Sequence, residues 1–429
     1  MILKVSPTAS LQGGVDLPAS KSYSIRAFII AACGGQSQII HPSNCDDAQV
    51  AKSVAGCLGA HVVAKKNNSW SVKPRGCSNV SSSIQVGESG TVLRFLLPLL
   101  PFYYSKIRVE GKGTLKGRPN FHLTEVLRRH GVKIQGVGDK ESIPIVFSGG
   151  QLKGGTFEIE GSLSSQFVSA LLIACPHLHE DSQILIRGEK VVSTDYIVMT
   201  RQILAKAGIR VQKKSERSYR VPGRQKFRGL KKFIVPSDYG LAAFLLAAGA
   251  LIPSDLVLHG HFNDRLLQAD GRILNFLKKM GVKYQKTLKT VKLRGPFSLK
   301  GGRFSLKDCP DLVPIMAVLA LFAKSPTRLC DVAHAKAKES DRLADLKNEL
   351  LKIGADVQET SDGLLINPQA RYRAGVLLDP HHDHRLAMAF SVLGLKLGVR
   401  IQDIECVSKS YPDFVSDFKK IGALVKKGS

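Results

Sequence analysis

The sequence is poor in aromatic residues and in acidic residues. Phe, Trp and Tyr make up 7% of the 429 residues, and Trp70 is the single tryptophan. Proteins that bind single-stranded nucleic acid stack bases on aromatic side chains, so this scarcity argues against that role. Asp and Glu number 35 against 62 Lys and Arg, which gives a net charge of +27. The excess of positive charge predicts acidic partners. Charge alone does not distinguish nucleic acid, anionic membranes and multiply charged small molecules as that partner.

Paired cysteines and long apolar runs are also missing. The eight cysteines form no CxxC pair and no Cys–His cluster at zinc-finger spacing, so neither a metal site nor a disulfide framework is predicted. The N-terminus has no signal-like apolar region, and the longest apolar stretch, Gly240 to Pro253, is shorter than the roughly 20 residues that a membrane span needs. We therefore expect a cytoplasmic protein with no metal, no cofactor and no membrane partner.

Six helix endings recur along the chain at nearly even spacing. Each resembles Leu-x-x-Gly-Ala, and successive glycines are 68 to 77 residues apart: Gly59, Gly131, Gly208, Gly281, Gly354 and Gly422. Glycine suits the left-handed position that follows many helices. Apolar residues upstream follow helical spacing, as in Leu343, Leu346 and Leu350. The pattern predicts six repeats, each with an outer amphipathic helix.

An almost wholly apolar helix and a β-rich run recur with these endings. The helical segments are AFIIAACG, FLLPLLPFYY, VSALLIAC, LAAFLLAAGAL, VPIMAVLALFA and LAMAFSVLGL, and the strands are SQIIH, KIRVEG, QILIRG, DLVLHG, TRLCDV and RIQDIEC. A helix that is apolar all round is buried. The fold class is therefore α/β (α+β), with three repeats in each of two domains. We expect residues 1–19 and 236–429 to form one discontinuous domain and residues 20–235 the other.

Polar and charged residues stand immediately before the six apolar helices. The segments are LPASKSYSIR, VGESGTVLR, GSLSSQF, VPSDYG, KDCPDLVP and DPHHDHR. Any single Ser, Thr or Asp there is explained by helix capping. Several helix N-termini that open into one cleft, with Lys and Arg added, would instead make a focused anion site. This combination predicts substrates that carry phosphate and carboxylate groups.

Two further basic segments lie outside the helix starts. Arg118 is in KGRPNFHL, and HAKAKESDRL places Glu339 between Lys338 and Arg342. The second segment is consistent with a solvated Glu–Arg pair on an exposed helix. It is equally consistent with a carboxylate that cations hold ionised, which suits proton transfer.

Ten segments, in order between residues 18 and 414, resemble the 5-enolpyruvylshikimate-3-phosphate synthase family. They are PASKSYSIRA, GESGTVLR, GRPNFHL, GSLSSQF, STDYI, PSDYG, CPDLVP, KESDRL, DHRLAM and SKSYPDF. The resemblance implies a two-domain inside-out α/β barrel whose active site is in a cleft that closes on its substrates. It implies transfer of the enolpyruvyl group of phosphoenolpyruvate to shikimate 3-phosphate in the shikimate pathway, by a glyphosate-sensitive, cofactor-free monomer.

The resemblance also assigns roles to residues of this chain. The catalytic groups would be Asp311, Glu339, Lys21 and Lys409. Shikimate 3-phosphate would be bound by Lys21, Ser22, Arg26, Ser164, Ser165, Gln166, Ser193, Tyr196, Asp311, His334 and Lys338. Phosphoenolpyruvate would be bound by Lys21, Gly90, Thr91, Arg118, Gln166, Arg342, His384, Arg385 and Lys409.

Three positions depart from the family pattern: Ile25 and Glu88 replace common Asn residues, and Phe95 stands where Pro is frequent. None of them removes a charged group, so they bear on substrate affinity more than on reaction type. The alternatives are an enolpyruvyl transferase that acts on UDP-N-acetylglucosamine, and a relative without activity that binds anions or nucleic acid. The first typically has Cys where this chain has Gly113, and the intact charged set argues against the second.

Overall fold

The computed structural model describes residues 1–76 and 82–428, so Cys77 lies outside the described residues. Clustering of contacts divides the chain into two compact units. The discontinuous unit comprises Met1–Ala19 and Pro236–Ser429, and the continuous unit comprises Ser20–Val235. Among the described helices, none combines the length and apolar character needed to cross a membrane.

Helices and strands alternate throughout both units. The α-helices are α1 (Lys21–Ala32), α2 (Asp46–Cys57), α3 (Gly90–Leu96), α4 (Leu100–Tyr103), α5 (Phe121–Arg129), α6 (Ser165–Ala174), α7 (Thr194–Lys206), α8 (Tyr239–Leu251), α9 (Arg272–Lys279), α10 (Val313–Leu321), α11 (Arg342–Lys352), α12 (His384–Leu397) and α13 (Phe414–Lys420).

The strands are short. They are β1 (Ile2–Val5), β2 (Leu11–Asp16), β3 (Ser37–Ile40), β4 (Ala60–Lys65), β5 (Ser69–Pro74), β6 (Ser83–Gln85), β7 (Ile107–Glu110), β8 (Val132–Val137), β9 (Ser142–Gly150), β10 (Gly155–Glu160), β11 (Ser182–Arg187), β12 (Gln212–Ser215), β13 (Ser218–Val221), β14 (Lys231–Ile234), β15 (Ser254–His259), β16 (Tyr284–Lys286), β17 (Thr290–Leu293), β18 (Gly302–Ser305), β19 (Thr327–Cys330), β20 (Asp356–Thr360), β21 (Gly363–Asn367), β22 (Leu377–Leu378), β23 (Val399–Ile401) and β24 (Val425–Gly428).

The described strands form six four-stranded sheets, three in each unit. The orders in the continuous unit are β14-β3-β5-β4, β6-β7-β9-β8 and β10-β11-β13-β12, and those in the discontinuous unit are β16-β17-β15-β2, β18-β19-β21-β20 and β22-β23-β1-β24. Each sheet contains one parallel pair, and a helical crossover joins that pair in four sheets. In the other two, the parallel partners come from distant parts of the chain: β2 pairs with β15, and β14 pairs with β3.

The predicted apolar helices form the core of each unit. All residues of α8 and α10 are buried, and α8, α10 and α12 contact one another inside a single hydrophobic cluster of the discontinuous unit. In the continuous unit, α3 contacts both α1 and α6. The predicted α/β class with buried helices, strands and outer helices is therefore confirmed.

The six repeat glycines all have positive φ, as the helix-ending pattern predicts. They follow α2, α5, α7, α9, α11 and α13, with φ between +80° and +97°. Residues with a Cβ rarely adopt this conformation, which explains why glycine recurs at that point of each repeat.

Two of the predicted elements are wrong in detail. FLLPLLPFYY was expected to be one helix, but Pro98 and Pro101 divide it into α3, a 3-10 turn over Leu97–Leu99 and α4. Proline lacks the N–H that an uninterrupted helix uses. RIQDIEC was expected to be a strand, but β23 ends at Ile401 and Asp403 turns at φ +47° into a 3-10 helix over Ile404–Lys409.

Candidate active site

Arg342 is the centre of a buried charge network in the discontinuous unit. It begins α11, and its side chain is 1% exposed. Its Nη1 donates to Asp311 Oδ1 at 2.7 Å and its Nη2 to Glu339 Oε2 at 3.0 Å. Its Nε donates to Asp383 Oδ2 at 2.7 Å. Burial opposes the charge, but Asp383, Asp311 and Glu339 hold the pKa of Arg342 well above its usual range.

A second buried arginine completes this carboxylate cluster, which we define as Asp270, Asp311, Glu339, Arg342, Asp383 and Arg385. Arg385 lies in the first turn of α12, where Asp383 caps the helix by accepting from the Arg385 N–H at 2.8 Å. Arg385 Nη2 lies 2.9 Å from Asp311 Oδ2 and 3.7 Å from Asp270 Oδ2. Asp311 therefore has a guanidinium on each oxygen, which is the arrangement that most favours its ionised form.

The two aspartates at Arg385 have opposite pKa shifts. Burial opposes ionisation of Asp311, but Arg385 and Arg342 together hold its pKa far below the usual range. Asp270 is also buried, lies farther from Arg385 than Asp311 does, and is repelled by Asp311 and Asp238, so its pKa rises to about 7. The cluster thus holds one carboxylate that stays ionised and another that titrates near neutral pH.

Lys338 and His334 lie close to Asp311, and His384 stands between Asp383 and Arg385 in the sequence. Lys338 is close enough to lower the pKa values of both Asp311 and His334. His334 is buried, and burial followed by the charge of Lys338 lowers its pKa to about 3, so it is neutral at physiological pH. His384 is buried in the first turn of α12, and Lys409 is buried at the end of the 3-10 helix.

Arg94 organises the predicted substrate residues of the continuous unit. It lies in α3, is buried, and donates from Nη1 to Gln166 Oε1 at 2.6 Å and to Ser164 Oγ at 3.4 Å. Gln166 Nε2 in turn donates to Thr91 Oγ1 at 2.9 Å. Ser164 also caps α6 by accepting from the Gln166 N–H. Arg94 thereby fixes Ser164 and Gln166, and through Gln166 it links the starts of α3 and α6.

Gly90 lies directly against the guanidinium of Arg118. A Cβ built on Gly90 would be 2.8 Å from Arg118 Nη1 and 2.9 Å from Cζ, closer than real Cβ contacts. Gly240 of the other unit repeats this relationship, since its Cβ would be 2.8 Å from Arg385 Nη1 and 2.4 Å from Asp270 Oδ2. In each unit, a glycine in the first turn of a buried helix leaves room for an arginine side chain.

Arg26 is buried in α1 and is bonded to neutral groups. It donates from Nε to Thr200 Oγ1 at 2.9 Å, from Nη1 to the Ser22 carbonyl at 2.9 Å and from Nη2 to the Tyr196 carbonyl at 3.2 Å. Within the described residues no carboxylate forms an ion pair with it, and burial lowers its pKa to about 10. A buried cation that neutral groups surround gains most from an anionic ligand.

The other predicted residues of this unit occupy helix starts. Lys21 Nζ forms an ion pair with Asp47 Oδ2 at 3.2 Å, and both side chains are largely buried. Ser165 is buried in the first turn of α6. Ser193 precedes α7 at φ +55° and is buried, which is a strained backbone for a residue with a side chain. Strain of this kind concentrates at functional sites.

Comparison with known proteins assigns the chain to one family. The profile described as EPSP synthase (3-phosphoshikimate 1-carboxyvinyltransferase) matches residues 5–418. The chain is 36% identical to a 3-phosphoshikimate 1-carboxyvinyltransferase of Methanocaldococcus jannaschii, over 99% of both chains. A protein of that name from Methanosarcina mazei is 36% identical over 98% of this chain and 97% of the relative. The chain belongs to the EPSP synthase family.

Solved structures place the fold in the same group. The structure of an EPSP synthase from Acinetobacter baumannii matches with a TM-score of 0.81 at 24% identity, covering 100% of both chains. An enolpyruvyl transferase from Streptomyces tendae matches with a TM-score of 0.77 at 18% identity, covering 99% of this chain and 98% of that one. The EPSP synthase fold predicted from the ten segments is confirmed.

Glu88, one of the departures from the EPSP synthase pattern, fills space beside Gly113. Its carboxylate accepts from the Thr114 N–H at 3.3 Å and from Thr114 Oγ1 at 3.2 Å. A Cβ on Gly113 would meet Glu88 Oε1 at 2.2 Å, and Gly113 has φ +56°. A side chain at position 113 would therefore strain the backbone and would require the Glu88 carboxylate to move.

The other two departures are in the core. Ile25 and Phe95 are both fully buried, and the Arg26 guanidinium lies 5.3 Å from the centre of the Phe95 ring. At this distance the ring contributes a cation–π contact that helps hold Arg26. Phe95 thus has a local role beside a predicted ligand of shikimate 3-phosphate.

Sequence reasoning missed several partners of the predicted residues. Asp270, Asp47 and Asn120 have no predicted role, although they contact Arg385, Lys21 and Arg94 respectively. Asp383 and Arg94 stand in the helix-start segments, and that position is the one signal that could have placed them in the site. Asp270 follows no such pattern, because its contact with Arg385 depends on residues 115 positions apart in the sequence.

Away from these clusters, the described residues contain one group with metal-like spacing. The ligand atoms of Cys330, Asp331 and Asp362 lie within 4.8 Å of one another. Arg303 Nε donates to Cys330 Sγ at 3.3 Å and Arg328 Nη2 donates to Asp362 Oδ1 at 3.2 Å. These guanidinium groups already supply positive charge to the acidic atoms.

Proposed function

We propose that the carboxylate cluster and the Arg94-centred residues together carry out the reaction of the EPSP synthase family. The chain transfers the enolpyruvyl group of phosphoenolpyruvate to the 5-hydroxyl of shikimate 3-phosphate, giving 5-enolpyruvylshikimate 3-phosphate and phosphate. Its reaction class is 3-phosphoshikimate 1-carboxyvinyltransferase (EC 2.5.1.19), and its pathway is aromatic amino-acid biosynthesis. The carboxylate cluster and the Arg94-centred residues belong to different units, so the proposal requires both units to bind the same substrates. The reaction is proposed to take place in the cytoplasm.

The observation that carries the proposal is the position of Asp311 and Glu339 on one guanidinium, that of Arg342. The addition step needs a base for the 5-hydroxyl oxygen and an acid for C3 of phosphoenolpyruvate. Asp311 takes the hydroxyl proton as the oxygen bonds to C2, and Glu339, with Lys21 or Lys409, delivers a proton to C3. The tetrahedral product then loses phosphate, and the same group removes a proton from C3.

Substrate binding must weaken the contacts that Arg342 and Arg385 make with these carboxylates. Asp311 between two arginines is a poor base, because its pKa is far below the usual range. The anionic groups of phosphoenolpyruvate compete for Arg342 and Arg385, and each contact withdrawn from Asp311 raises its proton affinity. The substrate therefore activates its own base, and the remaining positive charge stabilises the transition state.

The continuous unit offers matching groups for the anionic substrates. Ser164, Ser165 and Ser193 would bind the 3-phosphate at the starts of α6 and α7, where helix N–H groups favour anions. Arg26 would bind the shikimate carboxylate, with Ser22 and Tyr196 beside it. Gly90, Thr91, Arg118 and Gln166 would bind phosphoenolpyruvate.

Phosphate release from purified protein tests this proposal. Shikimate 3-phosphate with phosphoenolpyruvate should give steady release, and UDP-N-acetylglucosamine with phosphoenolpyruvate should give none. Arg342→Gln should abolish release, because it breaks the contacts to Asp311 and Glu339. If phosphoenolpyruvate gives phosphate with the UDP-sugar but not with shikimate 3-phosphate, the alternative transferase is established. If neither acceptor gives phosphate, the relative that only binds anions or nucleic acid is favoured.

A further inference from the structure

A basic cavity of about 790 Å³ lies on the continuous unit at the sheet β14-β3-β5-β4. Polar uncharged residues and cations line it, with no acidic and no aromatic residue among them. The cations are Lys65, Lys66, Arg228, Lys231 and Lys232, and the polar residues are Gln36, Ser37, Gln38 and Ser71. None of these residues has a part in the proposed reaction, so the cavity is a separate feature of the unit.

Tertiary pairing creates this basic cavity. Lys65 ends β4, whereas Lys232 lies in β14, 167 positions later in the chain. Lys232 pairs with Gln38 in β3, and Gln38 pairs with Ser71 in β5. The order of the strands therefore places Lys65 and Lys66 on the same concave surface as Lys231 and Lys232.

The five cations lack the ion pairs that neighbouring basic residues make. In the described residues, none of them has a carboxylate within 4.0 Å. By contrast, Lys213 pairs with Glu216, and Arg220 pairs with Asp181 at 2.8 Å. Cations gathered without counterions repel one another, and an anion that binds among them relieves that repulsion.

The backbone beside the cavity is closely packed. Gly229 has φ +77°, and its Cβ would meet the Gln36 carbonyl oxygen at 2.3 Å. The Leu230 N–H donates to Ser37 Oγ at 2.8 Å, and Lys231 has φ +49°. The Arg228 stem lies against Gly208, whose Cβ would be 3.0 Å from Arg228 Cγ. These contacts hold the backbone of the loop before β14, from which Arg228, Lys231 and Lys232 extend.

We propose that this cavity binds a small anion that carries several consecutive phosphate groups, such as a short polyphosphate chain. Five cations match three to five negative charges, and the volume is in the range of roughly 300–1,000 Å³ that small-molecule sites occupy. Nucleic acid is the less suitable occupant, because no aromatic side chain is available to stack a base. The proposal is independent of the proposed transferase reaction.

Calorimetric titration with inorganic tripolyphosphate tests the site, with shikimate 3-phosphate and glyphosate both present in excess to occupy the two parts of the transferase site. The wild-type chain should bind one tripolyphosphate, and orthophosphate should bind at least about tenfold more weakly because it makes fewer charged contacts. The double variant Lys65→Gln with Lys232→Gln should weaken tripolyphosphate binding about tenfold. Turnover should stay unchanged, since neither lysine is in the proposed reaction.

A matched control removes two positive charges from the other unit. Lys426 and Lys427 are exposed on β24 of the discontinuous unit, so Lys426→Gln with Lys427→Gln should leave tripolyphosphate affinity within about twofold of wild type. Equal weakening by both double variants would show attraction to net charge and would overturn the proposal. The proposal would also be overturned if tripolyphosphate did not bind and a single-stranded RNA bound through Lys65 and Lys232. Lys66→Gln with Arg228→Gln repeats the test if the first variant misfolds.

Discussion

Asp311 is held between Arg342 and Arg385, with Oδ1 2.7 Å from Arg342 Nη1 and Oδ2 2.9 Å from Arg385 Nη2. Both of its oxygens are engaged by cations that the proposal also assigns to phosphoenolpyruvate. The base and the substrate anion therefore compete for the same two arginines.

Asp311→Asn should lower kcat by about 10²- to 10⁴-fold, because the amide cannot accept the hydroxyl proton. Steady-state phosphate release measures this effect. Binding of phosphoenolpyruvate to the variant should become tighter, since the competing negative charge at Arg342 and Arg385 is removed. Weaker binding, at unchanged fold, would contradict the competition between Asp311 and the substrate.

Glu339→Gln should nearly abolish turnover and leave shikimate 3-phosphate binding largely intact. Loss of a proton-transfer group costs about 10²- to 10⁴-fold in rate. Calorimetry and phosphate release separate the two quantities. Glu359→Gln is the matched control, since Glu359 pairs with Lys336 in the same unit and has no assigned role. Turnover near that of wild type in Glu339→Gln would rule out the assignment.

Gly90→Ala should raise the inhibition constant of glyphosate by a larger factor than the KM for phosphoenolpyruvate. The new methyl group would lie 2.8 Å from Arg118 Nη1, so the guanidinium must move within the proposed anion pocket. Glyphosate is the longer anion and should suffer more from that shift. Gly56→Ala is the control, because outside its own helix and chain neighbours no atom lies within 4 Å of its Cβ, and Gly56 is in the last turn of α2. Equal changes in both constants would show that Gly90 does not border the pocket.

Asp270 should make phosphoenolpyruvate affinity depend on pH near neutrality. Burial raises its pKa and Arg385 lowers it. Repulsion from Asp311 and Asp238 raises it further, and the result is a pKa of about 7. Above pH 7 the ionised Asp270 partly neutralises Arg385, so KM for phosphoenolpyruvate should rise between pH 6 and pH 8. In Asp270→Asn this rise should disappear with the fold intact. A rise of the same size in the variant would show that another group titrates.

His177 should make the continuous unit less stable in acid. It stacks on Phe227 at 4.8 Å between ring centres and contacts the tilted ring of Phe102 at 5.1 Å, and burial lowers its pKa to about 4. The unfolded chain protonates it near pH 6.5, so its contribution to stability is lost as the pH drops from 6.5 to 4 and does not change further below pH 4. The loss is at most about 3 kcal/mol.

Urea midpoints at pH 7 and pH 4.5 measure this loss. His177→Phe should reduce the difference between the two midpoints, because a ring that cannot be protonated keeps the stacking. The matched control is His130→Phe, which also changes a histidine stacked on a phenylalanine, 3.8 Å from the Phe157 ring. An unchanged difference in His177→Phe would show that its protonation does not limit stability in acid.

The sequence by itself determined the local features of this protein. Helix-ending glycines, apolar helices and polar helix starts are periodic patterns of neighbouring residues, and they are enough to predict six repeats and the α/β class; the family follows from the resemblance of ten short segments. Position before the buried helices predicts an anion site that includes Lys21, Gly90 and Arg385, and the family resemblance implies the separate roles of these residues. Pro98 and Pro101 are local signals too, and each interrupts the helix by removing a backbone N–H.

Only the tertiary structure decided which charges meet. Asp270 reaches Arg385, Glu88 fills the space at Gly113, and Arg94 holds Gln166 and Ser164, all over distances in sequence that no pattern connects. The pairing of β14 with β3, which creates the basic cavity, also joins opposite ends of the continuous unit. Burial and Coulomb interactions depend on packing in space, and for that reason the state of each carboxylate follows from the fold and not from the order of residues.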